Sequence, residues 1–304
     1  MRVWVCMSVC LRDGMDVTVF VRVDYCNLIH ASARTGTGEM VYGVAELDGA
    51  QEVPMVTTSG RGTGVIAINV ESRTARVSLA LRDLMSTVAK VHIHAGAPGT
   101  NGAVVVDLGV ATNTTALFLD TTIPLTEAQL TTLLTTPVYF NIHTGSNGTS
   151  EIRGDITFGA VYGAVLTGGA EVPSTTTPAR GVAALRVEAN NTITSWLTLV
   201  NLDVDVTGLH IHGPGAVGAN GLFRLVDYGA LGSGVRHANS GSGPVSKATL
   251  QYLGAGLAYI NVHTARNPAG EVRGQCVGPA AMPAGACVSL PGRAGCVCLF
   301  DLAA

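Results

Sequence analysis

The chain repeats itself once, so whatever fold it adopts must be built twice. Residues 45–54 read AELDGAQEVP and residues 164–173 read AVLTGGAEVP, 119 positions later. The landmarks that follow recur in the same order. Arg61-Gly62 returns as Arg180-Gly181, VHIH (91–94) as LHIH (209–212), YFNIHT (139–144) as YINVHT (259–264), and EIRG (151–154) as EVRG (271–274). The offset stays between 118 and 120 throughout. A fixed period of this kind marks a duplicated structural unit, which predicts domains at 41–158 and 161–277 with almost no linker. Residues 1–40 and 278–304 flank them, and 304 residues suit two domains of ~100–200 residues each.

Within a copy the apolar residues come in short runs rich in Val and Ile, separated by Gly, Asn, Ser and Thr. GVIAINV (64–70), ARVSLAL (75–81), AVVVDL (103–108) and VYFNIH (138–143) are strand-length, and VAALRV (182–187) and TSWLTLV (194–200) answer them in the second copy. One short crossover helix is expected per copy. Thr126-x-x-Gln129 has capping-box spacing before LTTLL, and Ser246 precedes KATLQYL with Gly254 as its stop. The expected class is all-β: two tandem immunoglobulin-like, Greek-key β-sandwich or barrel domains. The EVP segments (Glu52–Pro54 and Glu171–Pro173) read as edge-strand geometry, because proline lacks the N–H a central strand requires.

Charge excludes one class of partner. The chain has 18 basic and 21 acidic residues, a net charge of -3, and only two lysines, Lys90 and Lys247. Nothing resembles the basic stripe that neutralises phosphates, so nucleic acid is not an expected partner. No stretch offers the ~20 consecutive apolar residues of a membrane helix. Arg2 and the apolar run Val3–Leu11 have the length of a signal-peptide core, although Arg12, Asp13 and Asp16 follow without a small-residue cleavage site, so 1–40 reads as a degenerate signal region. Cys276, Cys287, Cys296 and Cys298 cluster toward the C-terminus, while Cys6, Cys10 and Cys26 lie near the start. The former read as a disulfide-bonded tail formed in an oxidising compartment. Sequons at Asn113, Asn147 and Asn190 fit the same secreted, glycosylated setting.

Six of the eight histidines fall at repeated positions: His92, His94 and His143, then His210, His212 and His263. Alternate residues of a strand share a face, so each HIH pair projects two imidazoles together. A third imidazole from a neighbouring strand would complete a three-nitrogen site suited to copper or zinc. The competing reading is structural, with imidazoles hydrogen-bonding to the backbone of the Gly-rich turns AGAPGTNG (95–102) and GPGAVGANG (213–221). Asp107 and Asp227 follow those turns at matching positions, either as additional ligands or ring-nitrogen orienters, or as strand-end caps in solvent. Glu151 with Arg153, and Glu271 with Arg273, sit at i and i+2 on a strand and read by default as surface ion pairs, with a buried or network role as the alternative that their recurrence raises. No Ser/His/Asp order, phosphate loop or carboxylate pair indicates catalysis.

The ordered set L-x-G-x-x-E-V-P, H-I-H-x-G-x-x-G-x-N-G, Y-x-N-x-H-T and G-E-x-R-G, present twice, resembles the chordin (CHRD) domain over about 235 of the 304 residues. Copy one departs by having Ser150 in place of the glycine of the last motif, and copy two by a shortened turn, His-Gly-Pro-Gly. The resemblance implies an immunoglobulin-like β-barrel in secreted or cell-surface proteins. A more distant similarity is to Cu/Zn superoxide dismutase. His92-Ile93-His94 resembles that family's copper pair, His143 its later copper histidine, and Asp107-Leu108-Gly109 its zinc aspartate segment. No histidine lies between His94 and His143, so the bridging ligand and the zinc histidines are missing. The leading expectation is a non-enzymatic extracellular module binding a protein or matrix ligand. A copper-binding or dismutase-like redox protein and a structural matrix or cell-wall component are the alternatives.

Overall fold

The structure, a computed structural model, describes residues 4–10, 16–22, 39–146, 148, 150–232, 236–239, 244–279, 287–289 and 296–298, with side chains over 39–146, 148, 150–232 and 244–279. The chain forms two compact units, residues 32–281 and residues 1–31 with 282–304. In the latter, the apolar run read as a signal-peptide core forms β1 (Trp4–Cys10), antiparallel to β2 (Asp16–Arg22).

The larger unit contains both repeats. The first copy runs β3 (Met40–Asp48), β4 (Arg61–Asn69), β5 (Thr74–Arg82), β6 (Val88–Ala95), β7 (Val104–Asp107), β8 (Leu117–Pro124), α1 (Glu127–Thr135), β9 (Val138–Thr144), β10 (Ile152–Asp155) and β11 (Thr157–Phe158). The second runs β12 (Val161–Thr167), β13 (Arg180–Val187), β14 (Ile193–Val200), β15 (Val206–Gly213), β16 (Phe223–Gly229), β17 (Arg236–Asn239), α2 (Lys247–Gly254), β18 (Tyr259–Thr264) and β19 (Val272–Gln275). In the smaller unit β20 (Cys287–Ser289) pairs with β21 (Cys296–Cys298).

Both copies have one topology. The first sheet is ordered β7-β6-β9-β10-β3-β4-β5-β8 and the second β16-β15-β18-β19-β12-β13-β14-β17, all antiparallel, with β11 an added partner of β3. The all-β, Greek-key reading holds. So do the helices: Thr126 and Gln129 close a reciprocal capping box on α1, and Ser246 caps α2 through the Thr249 amide.

Each sheet curls around its own core. In β6, Val91 and Ile93 are fully buried in the first core, and Leu209 and Ile211 of β15 occupy the same places in the second. A third cluster joins the copies. Val44, Val65 and Ala80, on the outer face of β3-β4-β5, meet Val161, Val182, Ala184 and Val200. Thr63 and Thr198 hydrogen-bond across this contact at 2.9 Å, and Trp196 Nε1 donates to Glu46 Oε2 at 2.7 Å. These central strands are therefore covered on both faces, which is why they read as continuous apolar runs without alternation.

Two expectations need correction. The EVP segments are not edge strands; each follows a 3-10 turn (Gly49–Gln51 and Gly168–Ala170) and crosses the sheet as a loop with its glutamate buried. Cys276 does not belong to a disulfide-bonded tail. It is a free thiol packed at 0% exposure in the second core, where burial pushes its pKa up to about 12. The side chains of the other six cysteines lie outside the described residues. Of the sequons, Asn113 and Asn190 are exposed, and Asn147 lies outside the described residues.

Candidate metal centre

The register of β6 and β9 assembles the first histidine group. His92 lies opposite Asn141, His94 opposite Tyr139 and Lys90 opposite His143, so all six side chains share the sheet face turned away from the core. In the second copy β15 and β18 pair His210 with Asn261, His212 with Tyr259 and Gly208 with His263. One nitrogen from each of His92, His94 and His143 lies within 4.8 Å of the other two, and the same holds for His210, His212 and His263.

Five of the six rings turn one nitrogen to a carbonyl or carboxylate. His94 Nδ1 meets the Gly102 carbonyl at 2.9 Å, His143 Nδ1 meets Gly148 O at 3.1 Å, and His263 Nδ1 meets Pro268 O at 2.9 Å. His92 Nε2 faces Asp107 Oδ1 at 3.6 Å, and His210 Nε2 faces Asp227 Oδ1 at 3.3 Å. A carbonyl or carboxylate accepts only N–H, which places the proton on that nitrogen and a lone pair on the other. The remaining nitrogens, His92 Nδ1, His94 Nε2 and His143 Nε2, with His210 Nδ1, His212 Nε2 and His263 Nε2, are buried and have no hydrogen-bond partner. An unpartnered buried acceptor costs about 1–3 kcal/mol, and three such lone pairs offered to one cation become a ligand set. A zinc or copper ion at about 2.0–2.1 Å from each nitrogen needs them roughly 3.3 Å apart, against the 4.8 Å within which they lie here.

Asp107 and Asp227 are not in either nitrogen trio. Each caps its strand end, accepting from the Gly109 or Gly229 amide at 2.8 Å, while its Oδ1 orients a histidine. The two roles weighed separately from the sequence are performed by one carboxylate.

The supports around the trio correct the surface ion-pair reading. Glu151 and Arg153 are both fully buried. Glu151 accepts from Thr58 Oγ1, the Met85 amide and Thr144 Oγ1. Arg153 donates to Thr100 O at 2.7 Å and Ala97 O at 3.0 Å, pairs with Asp155 at 2.8 Å, and lies 3.5 Å above the Tyr139 ring. Tyr139 in turn stacks on His94 at 5.2 Å, and its hydroxyl accepts from the Gly102 amide. Arg273, Tyr259 and His212 repeat the stack at 3.5 and 5.4 Å, with Arg273 holding the Ala216 and Ala219 carbonyls. Tyr139, Tyr259, Asn141, Asn261, Glu52 and Glu171 belong to the repeated motifs, but nothing in the sequence assigned them a role at the site. Their signal was there: polar residues repeated at fixed offsets inside apolar strands or beside a proline. Asn141 and Ser150 donate to Glu52. In copy two Gly270 replaces Ser150 at φ +152°, where a Cβ would come within 2.5 Å of Glu171 Oε1. Burial lifts the Glu171 carboxyl to about 7.

Burial also favours the neutral form of four of the histidines. Desolvation, with the charges of Arg224 and the neighbouring rings, lowers His210 and His212 to about 4, and desolvation lowers His92 and His143 as well. In metal-free protein the unfolded chain, with histidines near 6.5, therefore binds more protons than the fold as pH falls from about 6.5 toward 4. The histidines' contribution to stability is lost over that window. Glu171 and Glu52, whose carboxyls are raised, oppose this, but four histidines outnumber two glutamates. The thermal midpoint of chelator-treated protein should fall between pH 6.5 and pH 4 in calorimetry; a flat or rising midpoint would contradict the assignment.

The family model described as the CHRD domain matches the chain twice, over residues 44–156 and 162–276. No curated protein matches it.

Proposed function

The chain belongs to the CHRD domain family, carrying the domain in two copies, and from this premise we propose that it is a non-enzymatic binding module whose domains, at 41–158 and 161–277, each hold one copper or zinc ion on a histidine trio. The supporting observation is the convergence of three buried, unpartnered ring nitrogens in each copy, with the opposite nitrogen of five of the six rings turned to a carbonyl or carboxylate. That division of labour is what a ligating histidine requires. The structural reading accounts for only half of it, since loop carbonyls employ one nitrogen of His94, His143 and His263 and leave the other without a partner.

His92, His94 and His143 would hold the ion in copy one, and His210, His212 and His263 in copy two. Bound there, the metal supplies a Lewis-acidic centre with a position open to an outside ligand. The partner is a protein or matrix component, and the setting is extracellular, supported by the exposed sequons at Asn113 and Asn190. No described helix is long and apolar enough to cross a membrane. A copper redox role is favoured only by the likeness of the trio to the dismutase copper histidines, and the missing bridge weighs against it.

The test is metal titration of tag-free protein, followed by elemental analysis after desalting. Two ions per chain are expected at pH 7.5, with binding at the second site weakening as pH falls toward about 4, where protons compete for His210 and His212. No uptake at micromolar copper or zinc would return the histidines to a purely structural role.

A further inference from the structure

The two histidine trios are alike in their ligands and unlike in their surrounding charge. All three ligands of each trio are neutral, so a divalent ion bound there keeps its charge, with Asp107 or Asp227 behind one ring. An open position on such an ion draws an anion. In copy one a second cation stands beside it. Lys90 lies directly across from His143 on the same sheet face, is exposed, and has no ion pair among the described residues. Its charge reaches both His92 and His143. In copy two Gly208 takes the place of Lys90, opposite His263. Arg224 there lies across from His212 and its charge reaches His210 and His212, but it is tied to Asp227 at 2.7 Å.

We propose that the metal-loaded site of the first copy is a carboxylate receptor, binding the anion between the ion and the Lys90 ammonium, and that the second copy offers in its place only an arginine already paired with Asp227. The proposal rests on the metal reading above and gives the module a ligand class: a small carboxylate, free or displayed by a partner. The asymmetry has a structural reason. Gly208 sits so close to the trio that a Cβ would meet His210 Cε1 at 3.1 Å and Nε2 at 3.3 Å. A side chain at that position of copy two would press on the ligands, whereas β6 accommodates Lys90 beside its trio.

Copper-loaded His210→Ala/His212→Ala protein retains only the first site, and copper-loaded His92→Ala/His94→Ala protein only the second. Each is titrated with acetate in competition with azide, whose copper charge-transfer band reports occupancy. Acetate should bind the first site about fivefold more tightly, the size of one exposed ion pair. Lys90→Met in the first-site background should erase the difference while copper affinity holds or rises. Equal acetate affinities, or no effect of Lys90→Met, would overturn the receptor and leave the metal reading intact. Failure of copper to load would overturn both, and elemental analysis before titration separates the two results.

Discussion

Replacing Arg153 with alanine should lower the thermal midpoint by roughly 10 °C. The guanidinium is fully buried, and its removal leaves the Ala97 and Thr100 carbonyls and Asp155 without their donor and the Tyr139 ring without its cation. Breaking a buried ion pair on one side costs about 3–5 kcal/mol, and each kcal/mol shifts the midpoint by about 2–4 °C in a unit of this size. Arg153→Lys should recover little, because one ammonium cannot reach two carbonyls and a carboxylate while lying flat on a ring. The same change should loosen the turn whose Gly102 carbonyl orients His94, so metal affinity at the first site falls while the second site is spared. A midpoint within 1 °C or so of wild type would show that Arg153 is not the clamp described.

Where the sequence was legible, and where it was not, follows from what a single chain records. The duplication, the strands, both helices and the histidine trios are all written in local patterns. Apolar period places Val91 and Ile93 on the inner face, and the capping box at Thr126 marks α1. Arg153 was misread because its spacing from Glu151 shows which face of β10 it occupies but not what covers that face. The cover comes from the Gly-rich turn about 50 residues away, while the Asp155 amide beside it is held by Gln51, about 100 residues away. The packing of the two copies was invisible for a similar reason. The runs GVIAINV and VAALRV announce burial on both faces, yet only the fold shows that the second face of each belongs to the other copy. Cys276 was grouped with the tail by its neighbours in sequence, whereas its neighbours in space are the second core.

His92→Ala/His94→Ala and His210→Ala/His212→Ala should each reduce bound metal from two ions to one per chain, the largest change expected of any substitution here. Two ligands lost from three leave a single imidazole, too few to hold a divalent ion against water. The same variants separate the ligating role from the structural one, because the two roles use opposite nitrogens. The hydrogen bond from His94 Nδ1 to Gly102 O contributes about 1 kcal/mol to the metal-free fold, so the apo midpoint should fall only slightly. The ion, present at a hundredfold over its dissociation constant, adds about 2.7 kcal/mol per site, so the metal-induced rise in midpoint should drop clearly in each variant. A large apo destabilisation with unchanged metal uptake would assign these histidines to the turn. Small apo effects with halved stoichiometry would assign them to the ion, and the retained site in each variant would show that the two copies load independently.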